Sequence, residues 1–494
     1  MTTLGNAVKR RRTSGDVVRV MLVQPHGFSP QNVLPIALAY LKSNLLPETC
    51  EVRIVDCALR NITARSEEFR KELLEFKPEV VGVSSWSPMF LEALDVMRVA
   101  KEIDPDILTV TGGAHPTSYY PKVMENPEID FIFRGEAEFS FRDFISQLYQ
   151  GEVALEKIGG LVYRNAAGNV VPGDVNLVEV MDDVTIPDYD AINLEGYIAN
   201  GYRYLTKDAR NAPIWLTRGC PYRCQFCAAP QLSGKPVRRH SKEYIARWVH
   251  HLYHDKGIRW MNIIDDNFTF HKEYAKDVCR SIIDMNLTGL EMATPNGIRL
   301  QRGDPELWRL MRKAGWKTVI VAPESGSEYT LKLMKKDLDL NIVPGVVDDM
   351  RRAGLHVIGF FILGYPGERR EDIYQTRKFL LTCRFSFVIF HNFQAIPGTP
   401  VFDTLVALHE ISADYLPGDY HSTDVKYRSK ELADFDMKRF ILETYLLFSL
   451  RYPLTVPNLV KQLGVSFILS RFKRLLRIGF RAPLHESSSG VTFT

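Results

Sequence analysis

The sequence predicts an α/β protein with two separate parallel sheets, the first doubly wound and the second closed into part of a barrel. Two observations support this class. Short apolar runs alternate with stretches of helical periodicity in two blocks of the chain, and an irregular stretch separates the blocks. The chain has 494 residues, which is long for one core and indicates about three domains of about 150 residues each.

The first block covers residues 17–150 and follows a polar tail, residues 1–16. Its first strand is predicted from a nearly continuous apolar run at 17–23, and further strands are predicted at 51–56, 80–85, 107–111 and 131–134. Helical stretches separate most of them, for example at 34–46, 66–76 and 89–103. Because doubly wound sheets bind ligands at the carboxyl ends of their strands, the loops there are the informative ones.

The second block, residues 213–405, follows a connecting region at 151–212 that contains a predicted hairpin around 165–168. Its later strands are predicted at 260–265, 290–293, 318–322, 356–363 and 387–390. Sites in such barrels are assembled at the carboxyl ends of the strands. Residues 406–494 are predicted to be mostly helical, with one helix over 437–450.

Composition narrows the classes of function. A formal net charge of +3 over this length is close to neutral, so we expect no nucleic-acid partner. Seven cysteines without disulfide-framework spacing, together with the lack of an apolar leader, predict a cytoplasmic location. No apolar run is long enough for a membrane span. A basic amphipathic stretch at 457–481 indicates either a helix packed on its own domain or a contact with a membrane surface.

Three cysteines in one short run carry the strongest chemical signal. Cys220, Cys224 and Cys227 follow a Cys-x3-Cys-x2-Cys spacing, and thiolates this close together suit an iron–sulfur cluster or zinc. A structural zinc site normally has a fourth ligand, whereas the next candidates are His240 and Cys279, beyond the loop. A four-iron cluster with three protein ligands leaves one iron open for a small molecule.

This cysteine pattern resembles that of the radical S-adenosylmethionine (radical SAM) superfamily, and the resemblance spans about residues 214–402. It implies a 4Fe-4S cluster whose open iron chelates S-adenosylmethionine (SAM) and cleaves it to a 5'-deoxyadenosyl radical. Phe226 matches the aromatic residue beside the adenine. Glu324, in Pro-Glu-Ser-Gly-Ser, resembles the glutamate that meets the amino or ribose groups, and Gly364 lies in a turn similar to the adenine turn.

For Arg299 and for two aspartates, the sequence leaves two interpretations of their role open. A guanidinium offers a bidentate fork to a carboxylate, so Arg299 is a candidate for the SAM carboxylate, and a surface ion pair is the alternative. Asp265 and Asp266 follow a predicted strand and either contact the ribose or order a loop of the barrel.

The loops of the first block resemble those of a Rossmann-like cobalamin-binding domain. Ser84 or Ser85 matches the serine turn of that family, and Gly112 with Gly113 matches its later glycine pair. Glycines after a strand let a bulky ligand approach the backbone. His26 occupies the place of the cobalt ligand, but Gln24 replaces the acid that orients it, so we expect that His26 lies near the corrin without ligating cobalt. Arg134 and Glu136 are candidates for a structural ion pair or a cofactor contact.

The two resemblances together imply a cobalamin-dependent radical SAM methyltransferase that uses a 5'-deoxyadenosyl radical and methylcobalamin to methylate an unactivated carbon of a small or lipid-like metabolite. An electron donor such as flavodoxin or ferredoxin is implied as a partner. Two alternatives are a cyclase or oxidoreductase of the tetrapyrrole-cyclase type without methyl transfer, and a non-catalytic cobalamin-binding sensor. An RNA-modifying methylthiotransferase is disfavoured, because only Cys50 and Cys57 precede the barrel and the charge is nearly balanced.

Overall fold

The computed structural model describes residues 16–27, 34–202, 210–418 and 426–454, together with the isolated residues 4, 206 and 457. The predicted polar tail and the basic stretch at 457–481 lie almost entirely outside the described residues. No described helix is long and apolar enough to cross a bilayer.

The first sheet confirms the predicted doubly wound architecture. Its seven strands lie in the order β2-β1-β3-β4-β5-β6-β7, and β1 to β5 run parallel. They are β1 Val18–Gln24, β2 Cys50–Asp56, β3 Val80–Ser84, β4 Leu108–Gly112, β5 Phe131–Phe133, β6 Leu161–Arg164 and β7 Val170–Val171. Strand β1 is buried at all but one position, as expected for a parallel strand covered on both faces. The chain order reverses between β1 and β3, which is where such sheets bind ligands.

Three of the helices around this sheet match the stretches predicted at 34–46, 66–76 and 89–103. The helices around the sheet are α1 Ile36–Asn44, α2 Cys57–Arg60, α3 Glu67–Phe76, α4 Phe90–Ile103, α5 Ala114–Val123, α6 Glu138–Tyr149 and α7 Leu194–Ala199. The Ser66 hydroxyl caps α3 by accepting a hydrogen bond from the Phe69 amide at 3.3 Å. The β6–β7 hairpin pairs antiparallel with β5, so part of the connecting region extends the first sheet.

The second sheet contains six parallel strands in chain order, β8-β11-β12-β13-β14-β15, which is the arrangement of a partial barrel. They are β8 Asn211–Ile214, β11 Trp260–Ile263, β12 Glu291–Ile298, β13 Trp316–Glu324, β14 His356–Leu363 and β15 Phe387–Asn392. The first of them begins two residues before the sequence boundary at 213. A separate two-stranded ladder joins β9 Thr217–Arg218 to β10 Arg238–Arg239.

Helices connect these strands and complete the carboxyl-terminal part. They are α8 Ala229–Leu232, α9 Lys242–His250, α10 Lys272–Asp284, α11 Pro305–Ala314, α12 Glu328–Leu333, α13 Val343–Arg352, α14 Arg370–Leu380, α15 Pro400–Ala407 and α16 Met437–Arg451. Helix α16 matches the predicted helix at 437–450. Its Phe440 joins a small apolar cluster with Leu363 and Ile373, so α16 packs beside the end of β14.

Candidate active site

The loops after β3 and β4 contact each other at the carboxyl edge of the first sheet. The Ser85 amide donates a hydrogen bond to the Gly112 carbonyl at 3.0 Å, and the His115 amide donates to the Ser85 carbonyl at 3.3 Å. Gly113 has a φ of +95°, and a Cβ there would lie 2.8 Å from the Ser85 carbonyl oxygen and 2.9 Å from the Ser84 hydroxyl. The structure therefore brings Ser84, Ser85, Gly112 and Gly113 together, and only glycine fits at 113.

His26 follows β1 at the same edge. Its Nε2 lies 3.4 Å from the Asn61 side-chain oxygen, so its described partner is an amide and not a carboxylate. The nearby Asp56 side chain is engaged elsewhere, since it caps α2 and accepts a hydrogen bond from the Tyr197 hydroxyl at 2.5 Å. A cobalt ligand normally has a polar partner that orients its ring. The role of His26 beside a corrin remains a prediction.

Sequence reasoning missed His115 at this edge. Its ring is buried, its Nδ1 lies 3.0 Å from the Ser87 hydroxyl, and burial lowers the pKa of the imidazole to about 4. His115 therefore stays neutral at physiological pH and joins the β3 loop to the start of α5. The only signal in the sequence was its place two residues after the glycine pair.

The loop that contains Cys220, Cys224 and Cys227, here called the cysteine loop, lies between β9 and α8. Backbone hydrogen bonds hold it in place. The Cys220 amide donates to the Gly234 carbonyl at 3.0 Å, and the Gln225 amide donates to the Met334 carbonyl at 2.9 Å. Asp265 accepts hydrogen bonds of 2.7 Å from the Leu216 amide and of 2.7 Å from the Thr217 hydroxyl. The structure thus gives Asp265 the loop-ordering role.

Asp266 also contacts this loop, since it accepts a hydrogen bond of 3.4 Å from the Gly219 amide. Gly219 has a φ of +103°, and a Cβ there would overlap the Pro236 carbonyl. Both aspartates after β11 therefore order the loop. Burial raises the pKa of Asp265 to about 8 and also raises the pKa of Asp266.

All three thiols of the loop are free and partly exposed. Burial raises the pKa of Cys227 to about 12 and the pKa of Cys220 above its ordinary value, and Cys224 contributes to both shifts because it lies close to them. Among the described residues, no three His, Cys, Asp or Glu side chains converge to hold a single metal ion. In a four-iron cluster each thiolate binds a different iron, and three thiols close together on one short loop suit this group.

Arg299 lies against the cysteine loop and is not a surface residue. Its guanidinium stacks on the Tyr222 ring at 3.5 Å from the ring centroid, and its Nη2 lies 3.6 Å from the Cys224 sulfur. Its Nη1 donates a hydrogen bond of 2.6 Å to the Asp337 carbonyl. Only 9% of the residue surface is exposed. Among the described residues Arg299 forms no ion pair with a carboxylate, and its guanidinium lies beside the predicted cluster.

Glu324 ends β13 in a left-handed conformation with a φ of +69°. A register shift between β13 and β14 precedes it, and such strain in a non-glycine residue is typical of functional sites. The Lys336 ammonium lies 2.9 Å from the Glu324 carboxylate, and both side chains are about a tenth exposed. Sequence reasoning missed Lys336 because it follows α12, away from any strand end.

One short segment joins these elements. In the 334–337 segment, Met334 accepts the cysteine-loop hydrogen bond, Lys336 pairs with Glu324, and the Asp337 carbonyl accepts from Arg299. The cysteine loop and two of the residues predicted to bind SAM therefore contact the same four residues. Contacts with this segment therefore hold both Arg299 and Glu324 in place.

Phe226 and Gly364, which were predicted to lie beside the adenine, are also neighbours. The Phe226 ring meets the Tyr365 ring edge-on at 6.4 Å, and Tyr365 directly follows Gly364. The Gly364 amide donates a hydrogen bond of 2.7 Å to Glu368, which is fully buried. Burial raises the pKa of Glu368 to about 8.

Helix α5 connects the two edges. It begins directly after Gly113 and packs against α8, the helix that follows Cys227. A Cβ at Gly398, in the loop after β15, would lie 2.5 Å from the Ser118 carbonyl oxygen of α5. The Tyr119 ring packs edge-on against Phe402 at 5.3 Å. The glycine pair and the cysteine loop are therefore held on either side of one packed interface.

Arg134 and Glu136 do not pair with each other. Arg134 donates hydrogen bonds to the carbonyls of Thr117 at 3.2 Å and Gly173 at 2.6 Å, and its guanidinium stacks on the Tyr120 ring. Glu136 instead pairs with Arg238 of the second block. Glu136 therefore forms a structural ion pair, with Arg238 as its partner, whereas Arg134 binds backbone carbonyls.

Comparisons with known proteins agree with this architecture. Residues 214–380 match the radical SAM superfamily and residues 29–145 match the B12 binding domain. An uncharacterized methyltransferase of Pyrococcus horikoshii is 28% identical over 91% of this chain and 94% of its own length. Cytidylyl-2-hydroxyethylphosphonate methyltransferase of Streptomyces wedmorensis is 28% identical over 75% of this chain and 77% of its own length.

A third relative has a different activity in its name. The anaerobic magnesium-protoporphyrin IX monomethyl ester cyclase of Rubrivivax gelatinosus is 26% identical over 73% of this chain and 65% of its own length. Among solved structures, the radical SAM methyltransferase TsrM of Kitasatospora setae has a TM-score of 0.66 at 19% identity and covers 79% of this chain and 76% of its own. The cobalamin-dependent enzyme OxsB has a TM-score of 0.67 at 17% identity over 94% of this chain and 76% of its own. These two structures share the fold.

Proposed function

Since this chain belongs to the cobalamin-binding radical SAM enzymes, we propose that it transfers a methyl group to an unactivated carbon of a small or lipid-like metabolite. When bound, the cluster would supply the electron that cleaves SAM to a 5'-deoxyadenosyl radical, and the corrin would supply the methyl group that the substrate carbon takes up after losing a hydrogen atom. A low-potential donor such as flavodoxin or ferredoxin would provide the electrons.

The packed interface around α5 is the observation that carries this proposal. The glycine pair precedes α5 and the cysteine loop precedes α8, and the two helices pack on each other. A substrate held between these edges would face both cofactors. Positioning the reacting atoms in this way is a large part of what a protein contributes when its cofactors carry the chemistry.

The residues of the chain have distinct proposed roles. Cys220, Cys224 and Cys227 would hold three irons and leave the fourth open. Arg299 would meet the SAM carboxylate and Glu324 the amino or ribose groups, while Phe226 and Gly364 would flank the adenine. On the facing edge, Ser84, Ser85, Gly112 and Gly113 would house the nucleotide tail of cobalamin, with His26 near the corrin.

A cyclase or oxidoreductase activity is the second candidate, because a cyclase is among the relatives. The two activities differ in the fate of the SAM methyl group. The test uses anaerobically reconstituted enzyme with cobalamin, a reductant and trideuteromethyl-SAM, and a panel of substrates that includes cytidylyl phosphonates and apolar lipids. Mass spectrometry of a labelled product supports methyl transfer, whereas an unlabelled product with a new ring or lost hydrogens supports the cyclase and contradicts our proposal.

A further inference from the structure

Four charged side chains lie buried between the two blocks of the chain. Glu136 and Glu138 belong to the first block, and Arg218 and Arg238 belong to the second. We propose that these four residues, the buried quartet, set the position of the cysteine loop relative to the first sheet. The inference rests on the proposed function, because the position of the cysteine loop would set the distance between the two cofactors.

The contacts of the quartet are short and directional. Both terminal nitrogens of Arg238 reach the Glu136 carboxylate, at 2.5 and 2.7 Å. Arg218 lies 2.7 Å from a Glu138 oxygen and 3.6 Å from a Glu136 oxygen. The side chains of all four are at most 12% exposed. Charge-assisted pairs of this kind, above all bidentate ones, define orientation as well as distance.

The two arginines lie at both ends of the segment that contains the cysteine loop and α8. Arg218 of β9 and Arg238 of β10 are direct partners in the antiparallel ladder. The ladder therefore closes the segment between them, residues 219–237. This segment contains all three cysteines and α8. A carboxylate of the first block therefore holds each side of the stem from which the cysteine loop projects.

Arg218 is also fixed by its surroundings. It is 1% exposed, and its guanidinium lies 4.9 Å from the centroid of the Tyr40 ring and 4.8 Å from that of Trp215. Among the residues that the structure describes, its Nε and Nη2 have no hydrogen-bond partner. Such a buried cation is poorly explained by stability alone, since apolar residues of similar volume often replace a buried ion pair without loss. Cys220 follows only two residues later, so any shift of Arg218 moves a predicted cluster ligand.

The test separates stability from position by replacing a whole pair. In Arg218→Met/Glu138→Leu neither charge remains buried alone, so we expect a melting temperature of the cofactor-free protein close to that of the wild type. We expect the magnetic interaction between the reduced cluster and Co(II) cobalamin, seen in EPR relaxation, to change. Transfer of labelled methyl from SAM to cobalamin should fall by about a hundredfold, as a misplacement of about 1 Å can cause.

A matched control replaces an ion pair within one block. Lys317 and Glu291 lie 2.6 Å apart on neighbouring strands of the second sheet, and Lys317→Met/Glu291→Gln should leave the EPR spectrum unchanged. If the quartet variant does not fold, Arg218→Lys replaces it, because lysine keeps the charge but loses the planar group stacked on the two rings. The same spectral change is expected there.

The outcomes distinguish a failure of the proposed function from a failure of the role proposed for the quartet. A wild-type protein that binds no cobalamin or assembles no cluster contradicts the proposed function. The present inference alone is overturned by a different result. In that case the wild type shows the cluster–cobalt interaction, and a folded quartet variant shows the same interaction and the same methyl transfer. A changed interaction in the quartet variant but not in the Lys317 control supports it.

Discussion

The carboxyl edges of the two sheets differ in the kinds of residues that form them. The edge of the first sheet consists of glycines, short polar side chains and backbone groups in contact, such as Gly113 against Ser84 and Ser85. The mouth of the second sheet contains charged and thiol side chains that already interact, such as Lys336 with Glu324 and Arg299 with Cys224. We therefore propose that the first edge selects its ligand by shape, and the second by charge and coordination.

The largest effect is expected at the charged mouth. Replacing Cys220, Cys224 or Cys227 with Ala removes one of three thiolates, so iron content and SAM cleavage should both be lost. Cobalamin binding, at the other edge, should persist. Iron analysis and quantification of 5'-deoxyadenosine check this, with Cys279→Ala as a control because Cys279 is a buried thiol far along the chain. Full iron content in a loop variant contradicts the ligand set.

The shape-selecting edge is best disrupted at Gly113. In Gly113→Val the side chain meets the Ser84–Ser85 turn in a left-handed conformation, a strain of about 1–3 kcal/mol before any effect on the ligand. We expect cobalamin affinity to fall by at least about tenfold while the cluster assembles normally. Gly168→Val is the matched control, because Gly168 has a φ of +80° but no atom within 4 Å of its Cβ position. Equal cobalamin affinity in both variants refutes the assignment of this edge.

A loss of affinity for SAM is expected when the charge is removed from one side of the Lys336–Glu324 pair. Glu324→Gln keeps the shape of the side chain but removes its charge, and a charge-assisted hydrogen bond contributes about 1.5–3 kcal/mol, so SAM should bind about ten- to a hundredfold more weakly. Isothermal titration with SAM on the reconstituted protein measures this. Glu328→Gln, on the first turn of α12, serves as the control. Unchanged affinity in Glu324→Gln removes Glu324 from the proposed site.

The smallest expected effect is a pH dependence near the adenine turn. The pKa of Glu368 is raised to about 8 from its ordinary 4.5, so the unfolded chain loses this proton at lower pH than the folded protein. Between about pH 5 and pH 8 the folded state binds more protons, and stability should therefore fall as pH rises through this window. Glu368→Gln has no proton to lose, and its melting temperature should depend less on pH. An identical pH profile in the two proteins contradicts the raised pKa.

The fold could be predicted well because parallel sheets bury their strands on both faces. The apolar runs of β1 and β14, for example, predicted strands that the structure confirms. The ends of the barrel strands were predicted less well: β13 continues to Glu324, two residues beyond the predicted end at 322. A strained residue after a register shift leaves no hydrophobic pattern, so the sequence does not reveal it.

The candidate site was predictable where one short motif contains all the chemistry. The cysteine spacing and the glycine pair are local, because their residues are neighbours along the chain. Lys336, His115 and Arg238 were missed because each meets its partner only in the folded protein. The partner of Glu136 is 102 residues away, for instance, and no local pattern indicates which arginine it will meet.

The sequence by itself determined the two-sheet architecture, which follows from periodicity, and the close spacing of the three cysteines and of the glycine pair on which the proposed cofactor sites rest. Only the tertiary structure decided that α5 and α8 pack together between the glycine pair and the cysteine loop, which carboxylates hold the stem of the cysteine loop, and that Asp265 and Asp266 order that loop. The physical reason is that burial and charge pairing depend on the distances between distant segments, and packing sets those distances only after the strands and helices have formed.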